Sequence, residues 1–90
     1  MSERILHKLF LTNQAKADLE YWVKNNPQML PRIYRLIDSA KVSRETGIGR
    51  PERLKHFEVP TWSRRITSEH RFVYSVKADC LFVLQLRHHY

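Results

Sequence analysis

Length, composition and charge already limit what this chain can be. Its 90 residues include one Cys and 16 Lys and Arg against nine acidic residues, which gives a formal net charge of +7 and a sequence pI near 10.0. The single cysteine excludes an internal disulfide and a multi-cysteine zinc site, and no apolar run approaches the ~18 residues of a membrane span. We expect one domain over residues 1–90, soluble and cytoplasmic, with no cofactor. The charge favours phosphate-rich or acidic partners, although solubility alone also explains a basic surface.

The N-terminal half predicts a strand followed by two helices. The opening strand contains the apolar residues Ile5, Leu6, Leu9 and Phe10. Thr12 or Asn13 can cap a first helix, whose apolar face would consist of Ala15, Leu19, Trp22 and Val23. A second helix begins near Pro27 and repeats this spacing with Ile33, Leu36, Ile37 and Ala40.

The C-terminal half changes to a strand-like pattern after the loop "RETGIGRPE". Short polar turns divide four runs, which read "RLKHF", "WSRRIT", "RFVYSV" and "LFVLQLRHH". An order of strand, two helices and then three or four strands predicts an α+β domain. We therefore expect a compact antiparallel sheet of four to five strands, covered on one face by the two N-terminal helices.

Alternation along the strands divides their residues between two sheet faces. The apolar set suited to lie under the helices is Trp62, Ile66, Phe72, Tyr74, Val76, Phe82, Leu84 and Leu86. The alternate set is Ser63, Arg65, Thr67, Arg71, Ser75, Lys77, Gln85, Arg87 and His89. Solvation explains much of the polarity of an uncovered sheet face. Because the alternate set contains several cations and neither Glu nor Asp, it favours an anion-binding face.

One carboxylate, Glu52, follows Pro51 in the loop that would lead onto the sheet edge. A single Glu in a loop is more often a solvated surface acid, so its interest depends on nearby residues of other types. Those residues are Lys55, Arg65, Arg71, His89 and Tyr90. A carboxylate base, an imidazole acid and cations for a phosphate are the groups that metal-free RNA cleavage requires.

Other chemistries are less well supported by the sequence. Adjacent histidines on a strand diverge, so His88 and His89 do not form a metal site without further ligands. The segment "GIGRPE" matches neither a P-loop nor a dinucleotide-binding fingerprint. Cys80 lies in a turn or at a strand start, where a structural role is the default. The remaining histidines are interpreted as surface or packing residues, namely His7, His56 and His70.

Three sequence elements occur together, and they read "GIGRPERLKH", "WSRRITSEHRFVYSV" and the final "RHHY". Their order and separation resemble the YoeB/Txe family of type II toxin–antitoxin toxins, within the RelE superfamily. The resemblance runs from about Leu9 to Tyr90. It implies a metal-independent mRNA interferase that cleaves messages in the ribosomal A site and inhibits translation.

The resemblance also implies roles for individual residues and for partners. Glu52 would be the general base and His89 the general acid, with Tyr90 aligning or stabilising the scissile phosphate. The cations that would engage this phosphate are Lys55, Arg65 and Arg71. The implied partners are the 70S ribosome and mRNA, a YefM/Axe/Phd-like antitoxin with an acidic C-terminal segment, and a second copy in a homodimer.

Two other functions remain open on sequence grounds. One is a ParE-like toxin that poisons gyrase and has no RNA chemistry, and the other is a non-catalytic basic module that binds RNA or the ribosome. The chain also departs from the family pattern in three places. It begins with the additional residues "MSER", it has "FEVPTW" as the approach to Trp62 at the start of the second run, and it has His88 where an aromatic residue is frequent.

Overall fold

The computed structural model describes residues 5–88, which form two helices and a five-stranded sheet. In chain order the elements are β1 (Lys8–Leu11), α1 (Asn13–Asn25), a 3₁₀ turn (Pro27–Met29), α2 (Leu30–Val42), β2 (Glu52–Leu54), β3 (Thr61–Arg65), β4 (Arg71–Lys77) and β5 (Cys80–Gln85). In this part of the chain, no helix is long and apolar enough to cross a bilayer.

The strands are arranged in the order β1-β5-β4-β3-β2. β1 runs parallel to β5, and every other neighbouring pair is antiparallel. A parallel pair requires a long crossover, and here α1, α2 and the three other strands lie between β1 and β5 in the sequence. The predicted α+β fold, with two helices on one face of a mostly antiparallel sheet, is confirmed.

The first helix begins where the sequence places it, whereas α2 begins at Leu30, after the 3₁₀ turn over Pro27–Met29, rather than near Pro27. Thr12 caps α1, since its Oγ1 accepts a hydrogen bond from the Ala15 N–H at 3.1 Å and donates one to the Leu84 carbonyl at 2.8 Å. The predicted apolar face of α2 is buried throughout, at Ile33, Leu36, Ile37 and Ala40. The prediction for α1 is wrong at Val23, which is 50% exposed. The buried face of α1 instead runs through Ala15, Asp18 and Trp22 at helical spacing.

The core lies between the helices and one face of the sheet. Most of the predicted apolar strand residues are buried there, namely Trp62, Ile66, Phe72, Tyr74, Val76 and Leu86. The prediction is wrong for Phe82 and Leu84, because Leu81 and Val83 occupy the core side of β5. A β-bulge explains the error: Val73 pairs with Gln85 and Tyr74 pairs with Val83, so Leu84 is an additional residue that reverses the alternation.

Candidate functional site

Glu52 is the first residue of β2, the edge strand of the sheet, rather than a residue of the preceding loop. It pairs directly with Ser63 on β3. Directly paired residues share a face of the sheet, and Ser63 alternates with the core residue Trp62. Glu52 therefore lies on the sheet face that points away from the helices, which we call the open face. The open face thus carries a carboxylate, which the alternation pattern alone had not placed there.

Two predicted cations face each other on the open face. Arg65, the last residue of β3, pairs directly with Arg71, the first residue of β4. Like charges in this position repel each other, and an anion bound between them would relieve this repulsion. Arg71 is nearly buried, and its Nη1 donates to the carbonyls of Thr67, Ser68 and His70 at 2.9, 3.2 and 3.2 Å. Arg65 is exposed, so its guanidinium is available to a ligand.

An open cleft connects the carboxylate with one of these cations. Its volume is about 280 Å³, and it is lined by Arg50, Pro51, Glu52 and Arg65. Glu52 and Arg65 are diagonal neighbours across β2 and β3, a relation that usually separates Cα atoms by ~7–8 Å. Arg50 was not among the predicted site residues. It directly precedes Pro51 and has a positive φ of 54°. Arginine rarely adopts this conformation, so the sequence did not predict it.

Arg64 holds the loop that carries Arg50 into the cleft. This buried side chain donates through Nε to the Tyr74 hydroxyl at 2.8 Å and through Nη1 to the Ser39 hydroxyl at 2.8 Å. It also donates to three loop carbonyls, those of Ser43 at 2.5 Å, Thr46 at 2.9 Å and Ile48 at 3.0 Å. Burial raises the pKa of Tyr74, and the Arg64 guanidinium opposes part of that increase.

A second contact fixes the same loop at its far end. The Arg65 N–H donates to the Gly49 carbonyl at 2.7 Å, directly before Arg50. Gly47 has a φ of +115°, and a Cβ at this position would meet the Ser39 hydroxyl that receives the Arg64 hydrogen bond. The loop is therefore tied to β3 by the Arg64 side chain and by the Arg65 N–H. These contacts determine where β2 begins, at Glu52.

The other residues predicted for the site or for its sheet face do not line the cleft in the described structure, or lie outside the described residues. Lys55 is exposed directly after β2 and is not among the residues that line the cleft. His89 and Tyr90 lie outside the described residues. Arg87 does not belong to the open face as predicted, because its guanidinium lies 3.4 Å from the centroid of the Tyr21 ring on α1. Thr67 is also not a strand residue, since its Oγ1 accepts from the His70 N–H in the turn after β3.

The segment after β5 is anchored to α1. The Leu86 N–H donates to the buried Asp18 carboxylate at 3.0 Å, and the Leu86 carbonyl accepts from Trp22 Nε1 at 2.7 Å. Both backbone polar groups of Leu86 are thus satisfied by side chains of α1. The sequence interpretation missed Asp18, because an acidic residue at a core position is not expected unless a partner for it is known.

His88 is not on a regular strand, contrary to the sequence prediction. β5 ends at Gln85, and His88 has a φ of +65°. Its N–H donates to Nδ1 of His70 at 2.8 Å, and its carbonyl accepts from the Arg71 N–H at 3.0 Å. Burial lowers the pKa of His70, which therefore favours the neutral ring that this hydrogen bond requires.

The open face has the groups for one kind of chemistry. A carboxylate can remove a proton, and neighbouring guanidinium groups can hold an oxyanion and stabilise additional negative charge on it. Among residues 5–88, no group of three or more His, Cys, Asp or Glu is placed to hold a metal ion. A carboxylate beside guanidinium groups is suited to proton transfer next to a bound phosphate or similar anion.

Comparison with known proteins identifies the family. A family model described as "YoeB-like toxin of bacterial type II toxin-antitoxin system" matches residues 11–90. Toxin YoeB of Escherichia coli K12 is 39% identical over 83 residues, covering 92% of this chain and 99% of that protein.

Solved structures agree in both fold and sequence. The YoeB/ParE toxin from Agrobacterium tumefaciens is 43% identical with a TM-score of 0.88, covering 93% of this chain and 100% of that one. A YoeB dimer and a YoeB–YefM complex, both from Staphylococcus aureus, are 32% and 34% identical with TM-scores of 0.86 and 0.82. They cover 94% and 98% of this chain, and 99% and 100% of the respective chains. The chain belongs to the family of YoeB-like toxins of bacterial type II toxin–antitoxin systems.

Proposed function

We propose that this toxin is a single-domain endoribonuclease that cleaves mRNA in the A site of the translating ribosome. The observation that carries the proposal is the cleft that Glu52 shares with Arg50 and Arg65 on the open face. A base beside two guanidinium groups suits a reaction in which a proton leaves a hydroxyl while negative charge develops on a phosphate. The net charge of +7 adds long-range attraction to RNA.

Each site residue has a role in the proposed reaction. Glu52 removes the proton from the ribose 2′-OH, and the oxygen attacks the adjacent phosphorus. Arg65 and Arg71 stabilise the additional negative charge on the phosphorane, with Lys55 and Arg50 near the same phosphate. His89 protonates the leaving 5′-oxygen, and Tyr90 aligns the phosphate. Side chains supply every proton and charge in this route, so no metal or cofactor takes part in it.

The proposal extends to partners and location. A toxin that destroys messages acts where translation takes place, so the cytoplasm is its expected location and the 70S ribosome its partner. The YoeB of Staphylococcus aureus has been solved both as a dimer and in complex with YefM. By that similarity, we expect this chain to form a homodimer and to bind a YefM-like antitoxin. An acidic C-terminal segment of the antitoxin would complement the cationic open face.

Replacing Glu52 by glutamine tests the proposed base. Glu52→Gln keeps the shape of the side chain and removes its basic site, so cleavage should fall by about 10²–10⁴-fold. Primer extension on a message translated in a cell-free system measures the cut and its position relative to the A site. Glu58→Gln is a matched control, since Glu58 is also exposed and lies between β2 and β3 outside the cleft.

The same experiment separates the alternative functions. If Glu52→Gln cuts at the wild-type rate, Glu52 is not the base. If translation stops while the message stays intact, the chain is a non-catalytic ribosome-binding module. If only DNA breaks accumulate, in a parallel reaction with purified gyrase, the chain is a gyrase poison. Arg65→Ala should reduce cleavage about as strongly as Glu52→Gln does, because it removes charge stabilisation from the transition state.

A further inference from the structure

The backbone of His88 is fixed by hydrogen bonds to other parts of the fold. His88 donates its N–H to His70 Nδ1 at 2.8 Å, and its carbonyl accepts from the Arg71 N–H at 3.0 Å. Nε2 of Gln85 also lies 3.3 Å from the same carbonyl. The positive φ of 65° at His88 turns the backbone out of the direction of β5. A non-glycine residue keeps such a conformation only when its surroundings hold it there.

The His70 ring accepts one of these hydrogen bonds, and its protonation state decides whether it can do so. The ring packs edge-on against Trp22 of α1, with centroids 5.0 Å apart, and lies 5.8 Å from the His88 ring. Nδ1 accepts a hydrogen bond only when it carries no proton, so the contact with His88 requires neutral imidazole. In protonated His70, the Nδ1–H would point at the His88 N–H, and two donors would face each other.

The charged groups around His70 come from three elements. Asp18 lies on α1, Glu69 belongs to the same turn as His70, and Arg87 and His88 belong to the segment after β5. The two carboxylates favour the protonated ring, whereas Arg87 and His88 disfavour it. Burial has the largest effect and also disfavours protonation, so the pKa of His70 lies below its ordinary value of 6.5. At neutral pH the ring is in the form that can hold His88.

We propose that neutral His70 is a positioning residue, which fixes the backbone at His88, directly before residues 89 and 90 in the sequence. The inference rests on the proposed function, in which those two residues act on the scissile phosphate. His70 itself touches neither substrate nor reacting atoms. It acts through one hydrogen bond to the backbone, and protonation of the ring breaks that bond.

The first test measures the hydrogen bond without any activity assay. The toxin carrying His88→Gln keeps the backbone N–H at position 88 and removes the second imidazole ring beside His70. NMR should then show the residue-88 amide and the His70 ring titrating together, with one midpoint below pH 6.5. In the His70→Ala version, hydrogen exchange at this amide should be about tenfold faster. Separate midpoints, or unchanged exchange, would overturn the proposal.

The second test asks whether the position matters for the reaction. Asparagine places an oxygen near the position of Nδ1, so His70→Asn should retain the acceptor, whereas His70→Ala loses it. With translating ribosomes at pH 7.5, His70→Ala should lower kcat by about 10–100-fold at a nearly unchanged KM, since small misplacements of reacting groups have effects of this size. His70→Asn should recover most of the loss. His56→Asn, an exposed histidine after β2, is the matched control.

The two tests separate this inference from the proposed function. If the wild-type toxin cuts translated messages but both His70 variants cut equally well, His70 does not position the reaction and the inference fails alone. If His70→Ala and His70→Asn lose activity equally while both remain folded, the acceptor is not what matters, and the inference also fails. If the wild-type toxin cuts no message, the proposed function fails, and with it any role of His70 in that reaction.

Discussion

Replacing Arg64 by methionine should strongly destabilise the fold. The Arg64 side chain is fully buried and makes five hydrogen bonds through its guanidinium group, two to hydroxyl groups and three to loop carbonyls. Methionine retains much of the volume and removes all five donors. The acceptors that lose their partner are on Ser39, Ser43, Thr46, Ile48 and Tyr74.

The magnitude follows from two opposing effects. A hydrogen bond to a charged group contributes about 1.5–3 kcal/mol, so five bonds taken singly would exceed 7 kcal/mol. Burying the guanidinium costs several kcal/mol, which methionine does not incur. The loop carbonyls of Thr46 and Ile48 belong to exposed residues, so water can replace part of what they lose. We therefore expect Arg64→Met to lower the free energy of unfolding by about 3–5 kcal/mol.

Urea denaturation followed by tryptophan fluorescence measures this loss, because Trp22 and Trp62 are both buried. Arg35→Met on α2 is the matched control: this arginine is exposed, and its replacement should change stability by less than about 0.5 kcal/mol. A small domain has a total stability of only about 5–15 kcal/mol, so the Arg64 variant should be close to unfolding at 37 °C. If the free energy of unfolding falls by less than about 1 kcal/mol, the hydrogen bonds of Arg64 contribute little to stability, and the reasoning is wrong.

Two further predictions concern buried polar groups. Asp18→Ala leaves the Leu86 N–H without its acceptor and should lower the free energy of unfolding, measured by urea denaturation, by about 1–3 kcal/mol. Asp18→Asn retains an oxygen and should lower it by less. Equal losses in the two variants would contradict the role of this hydrogen bond. Because burial raises the pKa of Tyr74, the unfolded chain loses this proton first as the pH rises. The contribution of Tyr74 is thus complete below pH ~10 and is lost at higher pH, so stability should decline more steeply in the wild-type protein than in Tyr74→Phe.

Periodicity predicted the helices well, because their pattern needs only local information. The four apolar positions of α2 are all buried, and Thr12 caps α1 through its hydroxyl. The same method failed at Val23, which the apolar spacing placed on the inner face of α1. The face actually buried includes Asp18, whose carboxylate is satisfied by Leu86, 68 residues later in the sequence. A long-range partner of this kind cannot be recognised from the local pattern.

The strands show a second limit. Regular alternation along the last strand assigned Phe82, Leu84 and Leu86 to the core, and the bulge at Leu84 makes this assignment wrong for Phe82 and Leu84. A bulge depends on how two strands pair, so alternation within one strand does not reveal it. Of the predicted site residues, Glu52, Arg65 and Arg71 share the open face, and their roles stay a prediction. Arg50 was missed because its position depends on hydrogen bonds that Arg64 and Arg65 donate to the carbonyls of Ile48 and Gly49, and the local sequence does not reveal contacts over this distance.

The strand order also has a consequence for how the nascent protein folds. β5 lies between β1 and β4, yet it is the last strand of the sheet to be synthesised. Until residues 80–86 exist, β1 has no neighbouring strand. The N-terminal cap and the body of α1 also lack three hydrogen bonds, which join Thr12 to Leu84, Asp18 to Leu86 and Trp22 to Leu86. The two residues of each bond are 72, 68 and 64 positions apart, respectively. Contacts this distant in sequence form slowly, because a long loop must close first. A growing chain that stops short of β5 therefore cannot assemble this sheet, and the domain folds only after residues 80–86 have been translated.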